Sequence, residues 1–224
     1  MDGVRRYGLY VVPEGDLFAA GSAWLGWDSA TGVAVPQPEV AGLDVAALTE
    51  TPRKYGFHGT IKPPFFLAEG TDVAGLDAAA RAFCATRAPV VIEALDVQRF
   101  GGFVALGPRT PSEDLAELAS ATVKALDAFR APPSETELAK RRKAGLSARQ
   151  EELLQLWGYP HVMEAFRFHM TLTGRTPEAD AVRNALADHF ATVLAAPFVI
   201  DSLALMGETG DGAFHLIHRY PLSG

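Results

Sequence analysis

His58-Gly59-Thr60-Ile61 and His169-Met170-Thr171-Leu172 are two copies of one short pattern in a chain of 224 residues. In an extended strand successive side chains point to opposite faces, so His58 shares a face with Thr60 and His169 shares one with Thr171. Each copy therefore offers one imidazole and one hydroxyl to a common surface. A single such triplet arises easily by chance in a protein of this size, so the weight falls on what else repeats around it.

Ala88-Pro89-Val90-Val91-Ile92-Glu93-Ala94-Leu95 follows the first copy and Ala196-Pro197-Phe198-Val199-Ile200-Asp201-Ser202-Leu203 follows the second. Five of the eight positions are identical, and Glu93 matches Asp201. Gly102-Phe103-Val104-Ala105-Leu106 then corresponds to Ala213-Phe214-His215-Leu216-Ile217, with Phe103 and Phe214 each 45 positions beyond their histidine. Self-similarity of this kind indicates a duplicated structural unit. It defines a lobe-one repeat over 54–107 and a lobe-two repeat over 164–220 within one bilobal domain spanning 1–224. A helical insertion lies between them at 132–158.

Hydrophobic periodicity gives each half the same order. Residues 7–12 form a first strand and 16–27 a helix, followed by a short helical turn at 45–48. The first His strand runs over about 54–62 and is stopped by Pro63-Pro64. A helix at 73–86 precedes strands 90–98 and 103–106, joined around Phe100-Gly101-Gly102. Ser112 can cap a helix at 112–129. A polar helical region, 135–156, carries the run Lys140-Arg141-Arg142-Lys143. The second His strand, about 165–173, leads to a helix at 177–190 and strands 198–206 and 213–220. Strand, helix, strand, strand in each half predicts an α+β fold. It has two pseudo-symmetric lobes with mostly antiparallel sheets lining a central cleft and helices outside. The His strands would then face one another about a pseudo-twofold axis.

With 48% hydrophobic and 21% charged residues, the chain can bury a full core. A net charge of −7 argues against a non-specific coat on long nucleic acid, which needs a basic surface to displace counterions. The single cysteine, Cys84, excludes an internal disulfide and fits a buried helix face better than a nucleophile. The segment from Met1 to Tyr7 runs into a strand without a signal-like region, and no stretch reaches transmembrane length, so the cytoplasm is the expected location and no membrane partner is expected.

The chemistry follows from the residue types. An imidazole with an ordinary pKa near 6.5 can be neutral or protonated near neutral pH, so two can divide the roles of base and acid. Two threonine hydroxyls can donate hydrogen bonds to phosphate oxygens in the transition state. His58, Thr60, His169 and Thr171 are thus the candidate catalytic set for metal-independent cleavage of a phosphodiester. No zinc or magnesium motif with usable spacing and no Gly-x-x-x-x-Gly-Lys-[Ser/Thr] phosphate loop occurs, so neither a metal nor a cofactor is expected.

The duplicated His-x-Thr-apolar motif within duplicated strand-helix-strand-strand units resembles the two-histidine (2H) phosphoesterase superfamily, which includes RNA 2′,5′-ligase and cyclic phosphodiesterase enzymes. More narrowly, Arg53-Lys54-Tyr55-Gly56-Phe57-His58-Gly59-Thr60-Ile61-Lys62-Pro63-Pro64-Phe65 is similar to a branch associated with bacterial phosphonate-utilisation operons. So is Trp157-Gly158-Tyr159-Pro160 leading to Phe166-Arg167-Phe168-His169-Met170-Thr171-Leu172-Thr173-Gly174. The resemblance implies water activation by His169 and leaving-group protonation by His58, or the exchanged roles. It also implies a small cyclic phosphate or related phosphodiester as substrate. Processing of RNA ends, at 2′,3′-cyclic phosphates or 2′,5′ linkages, is the alternative enzyme reading; a non-catalytic phosphate-ligand sensor is the alternative of another class.

Around this set, Tyr55 and Lys62 flank the first motif, Lys62 sharing the face of His58 if the strand runs that far. Either can hold a second phosphate or a ribose, and a lysine at a strand end can equally be solvated. Arg167 lies two residues before His169, on its face. Tyr159 can stack on a base or pack as a core aromatic beside Trp157. Arg141 belongs to a run that is either a lid meeting an anionic substrate or a solvated helix face. His215 and His218 point to opposite sides of a strand, and His161 and His189 have no partner pattern.

Overall fold

The computed structural model describes residues 3–143, 145–194 and 196–224. Met1 and Asp2 of the N-terminal reading, Ala144 of the insertion and Ala195 of the second repeat lie outside them. In chain order the elements begin with β1 (Val4–Val11), α1 (Gly15–Leu25), a small hairpin of β2 (Trp27–Asp28) and β3 (Val33–Ala34), and α2 (Val45–Thr49). A 3-10 turn at Pro52–Lys54 leads to β4 (Gly59–Phe65), α3 (Val73–Cys84), β5 (Val90–Ile92), β6 (Leu95–Phe100) and β7 (Phe103–Pro108). Then come α4 (Glu113–Ala125), a 3-10 turn at Asp127–Phe129, α5 (Glu135–Arg142), α6 (Ala148–Trp157) and a 3-10 turn at Met163–Ala165. The chain ends with β8 (Met170–Thr171), α7 (Ala179–Phe190), β9 (Phe198–Ile200), β10 (Ser202–Thr209) and β11 (Phe214–Pro221).

Seven strands join in one antiparallel sheet of order β11-β10-β1-β4-β8-β7-β6, with helices outside it, which is the α+β class expected. The repeats interleave in this sheet. The first repeat places its His strand, β4, in the half containing the second repeat's hairpin, β10-β11. The second repeat places β8 beside the first repeat's hairpin, β6-β7. The helices follow the same exchange, α3 packing on β10 and β11 and α7 on β6 and β7. The two Ala-Pro segments found by self-comparison meet as well: β5 pairs with β9, Val91 opposite Val199.

Side-chain parity sorts the sheet into two faces. Leu9, Val11, Ile61, Phe65, Val104, Leu106, Phe168, Met170, Leu172, Leu203 and Leu205 point into the main core, where Leu76 and Ala80 of α3 and Val182 and Leu186 of α7 complete the packing. Burial of this apolar surface is the principal stabilising term. Trp24 of α1 fills the core and its indole N–H donates to Leu172 O at 2.7 Å, which satisfies the one polar atom of a fully buried side chain. The opposite face carries Tyr10, Val12, Ala204, Met206 and Phe214.

Several expected boundaries differ: the strands expected at 90–98 and 198–206 are each two, and the first His strand begins only at Gly59 after a 3-10 turn. Pro63-Pro64 does not stop β4, because both residues lie past the single β4-β8 pair, on an edge with no further β8 partner, and beside an irregularity in the β1 register. Proline's missing N–H costs little at such a position. The second His strand is only Met170–Thr171, since residues 166–169 are irregular. The polar helical region is two helices, each started by a serine capping box, Ser134 with Glu137 and Ser147 with Gln150. Among the described residues no helix is long and apolar enough to cross a membrane.

Candidate active site

The two motifs meet at their middle residues: Gly59 of β4 is the Cα partner of Met170 of β8, in antiparallel register. That register sets His58 level with Thr171 and Thr60 level with His169, all four on the face opposite the main core. Two contacts agree with it. The Tyr55 hydroxyl lies against the Thr171 side chain, and Thr60 and His169 line one cavity of about 470 Å³.

Both histidines are fixed through the same ring atom. His58 Nδ1 is 3.0 Å from Tyr55 O, and His169 Nδ1 is 2.8 Å from Arg167 O. A carbonyl oxygen can only accept, so each Nδ1 carries the hydrogen. Each neutral ring consequently holds its lone pair on Nε2, the atom left for chemistry. The irregular backbone before each motif, which shortens the His strands, is what supplies these carbonyls.

His58 is the more enclosed of the two, 8% exposed. Its ring centroid lies 4.3 Å from that of Tyr10, 5.5 Å from Tyr55 and 6.2 Å from Phe214. This burial disfavours the charged imidazolium and lowers its pKa to about 4, against the pull of the Tyr55 carbonyl, and the field of His169 lowers it further. His169 is half-buried between Phe100 and Phe103, with centroids 5.1 and 5.6 Å away. Desolvation depresses it too, and the Arg167 carbonyl opposes that. Burial also raises the Tyr55 hydroxyl pKa, so it remains a neutral donor.

The flanking candidates separate. Tyr55 lies beside His58 and Thr171, and Arg167 and Tyr159 line the cavity with Phe100, Phe103, Phe166 and His161. Arg167 Nη1 donates to Glu164 O and Phe166 O, holding the bend before His169. Tyr159 also packs with Trp157 against Val123, Leu153 and Val162. Arg141 of α5 does not line the cavity, but its Cζ is 4.5 Å above the ring centroid of Tyr159, which does, a cation–π distance. Its neighbour Arg142 instead pairs with Glu151 at the surface.

Lys62 is not brought to the cavity. The register against β1 shifts between Thr60, opposite Tyr10, and Lys62, opposite Leu9. The bulge turns Lys62 to the other face from Thr60, where α4 and the turn after it cover that end of β4. Lys62 is 2% exposed and its Nζ donates to Val123 O at 3.1 Å and to Asp127 at 3.3 Å. Burial lowers its pKa to about 8 against the attraction of Asp127. The same-face expectation fails because it assumes unbroken alternation, which the bulge between Thr60 and Lys62 interrupts.

Sequence reasoning passes over Tyr10, Phe100, Phe103 and Phe214, whose strands meet the His motifs only in the folded sheet. It also passes over His161, brought to the cavity by the turn after α6. Phe103 and Phe214 do carry a signal, being equivalent positions of the repeat. Among the described residues no group of three or more His, Cys, Asp or Glu side chains is arranged to hold a metal ion.

A family model described as "Protein of unknown function (DUF1045)" matches residues 60–215. The chain is 43% identical over 235 residues to a protein of Janthinobacterium sp. (strain Marseille) named ribose 1,5-bisphosphate phosphokinase PhnN, covering 100% of this chain and 52% of that protein. It is 36% identical over 212 residues to a protein of the same name from Laribacter hongkongensis (strain HLHK9), covering 93% and 49%. The chain thus spans about half the length of these relatives. Among solved structures, a phosphoesterase aligns at 14% identity over 99% of both chains with a TM-score of 0.46. E. coli LigT complexed with 3′-AMP aligns at 14% over 98% and 99% with a TM-score of 0.45. TT0787 of Thermus thermophilus aligns at 15% over 98% of both with a TM-score of 0.48.

Proposed function

The chain belongs to the DUF1045 family, and within it we propose a phosphodiesterase that hydrolyses a small cyclic phosphate or related phosphodiester by two-histidine general acid/base catalysis. The observation that carries this reading is the Gly59-Met170 pairing, which sets one His and one Thr of each motif against the Thr and His of the other. Fixing both Nδ1 atoms on carbonyls supports it further, because the two Nε2 atoms are left for proton transfer.

The difference in burial favours one division of labour. With one proton shared between two imidazoles, it resides on the ring that loses less hydration, His169, while His58 stays neutral. His58 Nε2 then takes a proton from water as the water oxygen bonds to phosphorus. His169 Nε2 gives its proton to the departing sugar oxygen as the other P–O bond breaks. This is the exchange of the roles implied by the superfamily resemblance. Proton transfer through solvent restores the starting state. Thr60 and Thr171 donate to the non-bridging oxygens, and the Tyr55 hydroxyl orients Thr171.

The cavity, at about 470 Å³, fits a small ligand and not a long polymer. The relatives' name concerns a phosphorylated ribose, and we take a sugar phosphodiester, in phosphonate metabolism, as the substrate class. Their named kinase activity is not assigned to this chain, whose sequence lacks the Gly-x-x-x-x-Gly-Lys-[Ser/Thr] loop that cradles nucleotide phosphates. The test is turnover of 2′,3′-cyclic nucleotides and ribose cyclic phosphates in the presence of chelator, followed by phosphorus NMR. His58→Ala and His169→Ala are each expected to lower the rate by about 10²–10⁴. Binding without turnover would favour the sensor.

A further inference from the structure

His161 lies at the exposed rim of the cavity, and its hydrogen-bonding state is set from outside by a helix cap. The side-chain oxygen of Gln150 accepts the backbone N–H of Ser147 at 3.0 Å in the capping box that starts α6. This fixes which way the Gln150 amide faces, because its NH2 group could not take that N–H. The NH2 group is therefore the one turned to His161, with Nε2 3.3 Å from His161 Nδ1. Nδ1 must accept, so the neutral ring carries its hydrogen on Nε2. This is the reverse of His58 and His169, whose Nδ1 atoms donate to carbonyls. In their neutral forms His58 and His169 keep a lone pair on Nε2, whereas His161 has an N–H donor there.

The charges around it share one sign. Arg141 stands over Tyr159, whose ring is edge-on to His161 at 5.6 Å, and Arg167 lines the same cavity. Among the described residues neither arginine pairs with a carboxylate, although the neighbouring Arg142 and Arg149 do. In a chain of net charge −7, leaving two guanidinium groups uncompensated beside an N–H donor favours an anionic oxygen there. Partial burial, together with the fields of Arg141 and His169, holds the His161 pKa below its usual value.

We propose that His161, Arg141 and Arg167 form a second anion subsite that binds a phosphomonoester carried by the substrate away from the bond being cleaved. The substrate is then a phosphodiester that bears its own terminal phosphate, and His161 is a specificity-determining donor. The proposal deepens the phosphodiesterase reading and rests on it only for the cleavage of the diester.

The first experiment does not depend on turnover. Long-range proton–nitrogen NMR of protein labelled with 15N-histidine is expected to show neutral His161 with its hydrogen on Nε2 and His58 and His169 with theirs on Nδ1. Adenosine 5′-phosphate should shift the His161 nitrogens where adenosine does not, and Arg141→Ala should abolish that shift. An Nδ1–H tautomer at His161, or equal shifts with adenosine, would overturn the subsite. The kinetic arm compares adenosine 2′,3′-cyclic phosphate with and without a 5′-phosphate. The wild type should favour the phosphorylated form about tenfold in kcat/KM, and His161→Phe should remove that preference by raising KM for the phosphorylated form more than for the plain diester. Absence of turnover on both would count against the phosphodiesterase reading alone, and the spectra would still decide the subsite.

Discussion

The Phe168 ring packs directly on the Cα of Gly59, so that a methyl group placed there would sit 2.3 Å from the ring. Gly59 separates His58 from Thr60 and Phe168 precedes His169, so one contact locks the two motifs to each other. Gly59→Ala must push the ring, and His169 with it, away from β4. The expected cost is about 1–3 kcal/mol of stability from overpacking, with a loss of activity greater than any change in KM. Met170→Leu, which nearly conserves volume at the partner position, should cost less than about 1.5 kcal/mol. Denaturant midpoints and steady-state rates of the two variants test the difference.

Stability should fall on the acid side because of His58. Its folded pKa is about 4 and its ordinary value 6.5, so between those values the unfolded chain takes up a proton that the folded chain refuses. The stabilisation is full above 6.5 and is lost as pH drops toward 4. The gap corresponds to about 3 kcal/mol, most of it gone by about pH 4.5. His169, also depressed, adds in the same sense. Urea midpoints at about pH 7.5 and about pH 4.5 should differ by less in His58→Phe than in the wild type, and an equal difference would place the acid sensitivity elsewhere.

The division of roles gives the rate profile. kcat/KM reports the free enzyme, which needs His58 neutral and His169 protonated. The acid limb should fall near pH 4 and the alkaline limb below 6.5, so the maximum lies in mildly acidic solution. A maximum above about pH 7.5 on a substrate without a titrating group of its own would contradict the assignment.

Much of this arrangement is legible in the chain, because a duplicated sequence constrains two places at once. Phe103 and Phe214, matched at the same distance from their histidines, lie against His169 and His58 respectively, although the repeat by itself assigns them no such place. What pattern alone cannot supply is which half each strand joins. The hairpins are exchanged between repeats, and nothing local distinguishes β4 beside β10-β11 from β4 beside β6-β7. Strand ends are illegible where backbone groups are used by side chains: residues 166–169 alternate like a strand but lend Phe166 O and Arg167 O to Arg167 and His169. His161 is invisible for a related reason, since its role depends on a glutamine eleven residues earlier in a helix cap.

Lys62 and Asp127 give the sharpest separation between binding and support. Lys62 is buried, while Asp127 is partly exposed and also holds Arg130. Removing the cation by Lys62→Met leaves Asp127 still paired and a long apolar side chain in an apolar place. The change should therefore cost no more than about 1 kcal/mol, and leave KM unchanged, because Lys62 does not line the cavity. Removing the anion by Asp127→Ala strands a buried ammonium that is already held near a pKa of about 8. It should cost about 3 kcal/mol, less whatever is recovered when Lys62 sheds its proton, so the loss should shrink as pH rises above about 8. Denaturant titrations of both variants at about pH 7 and about pH 9, with KM measured alongside, test this. A raised KM in Lys62→Met would return Lys62 to the substrate.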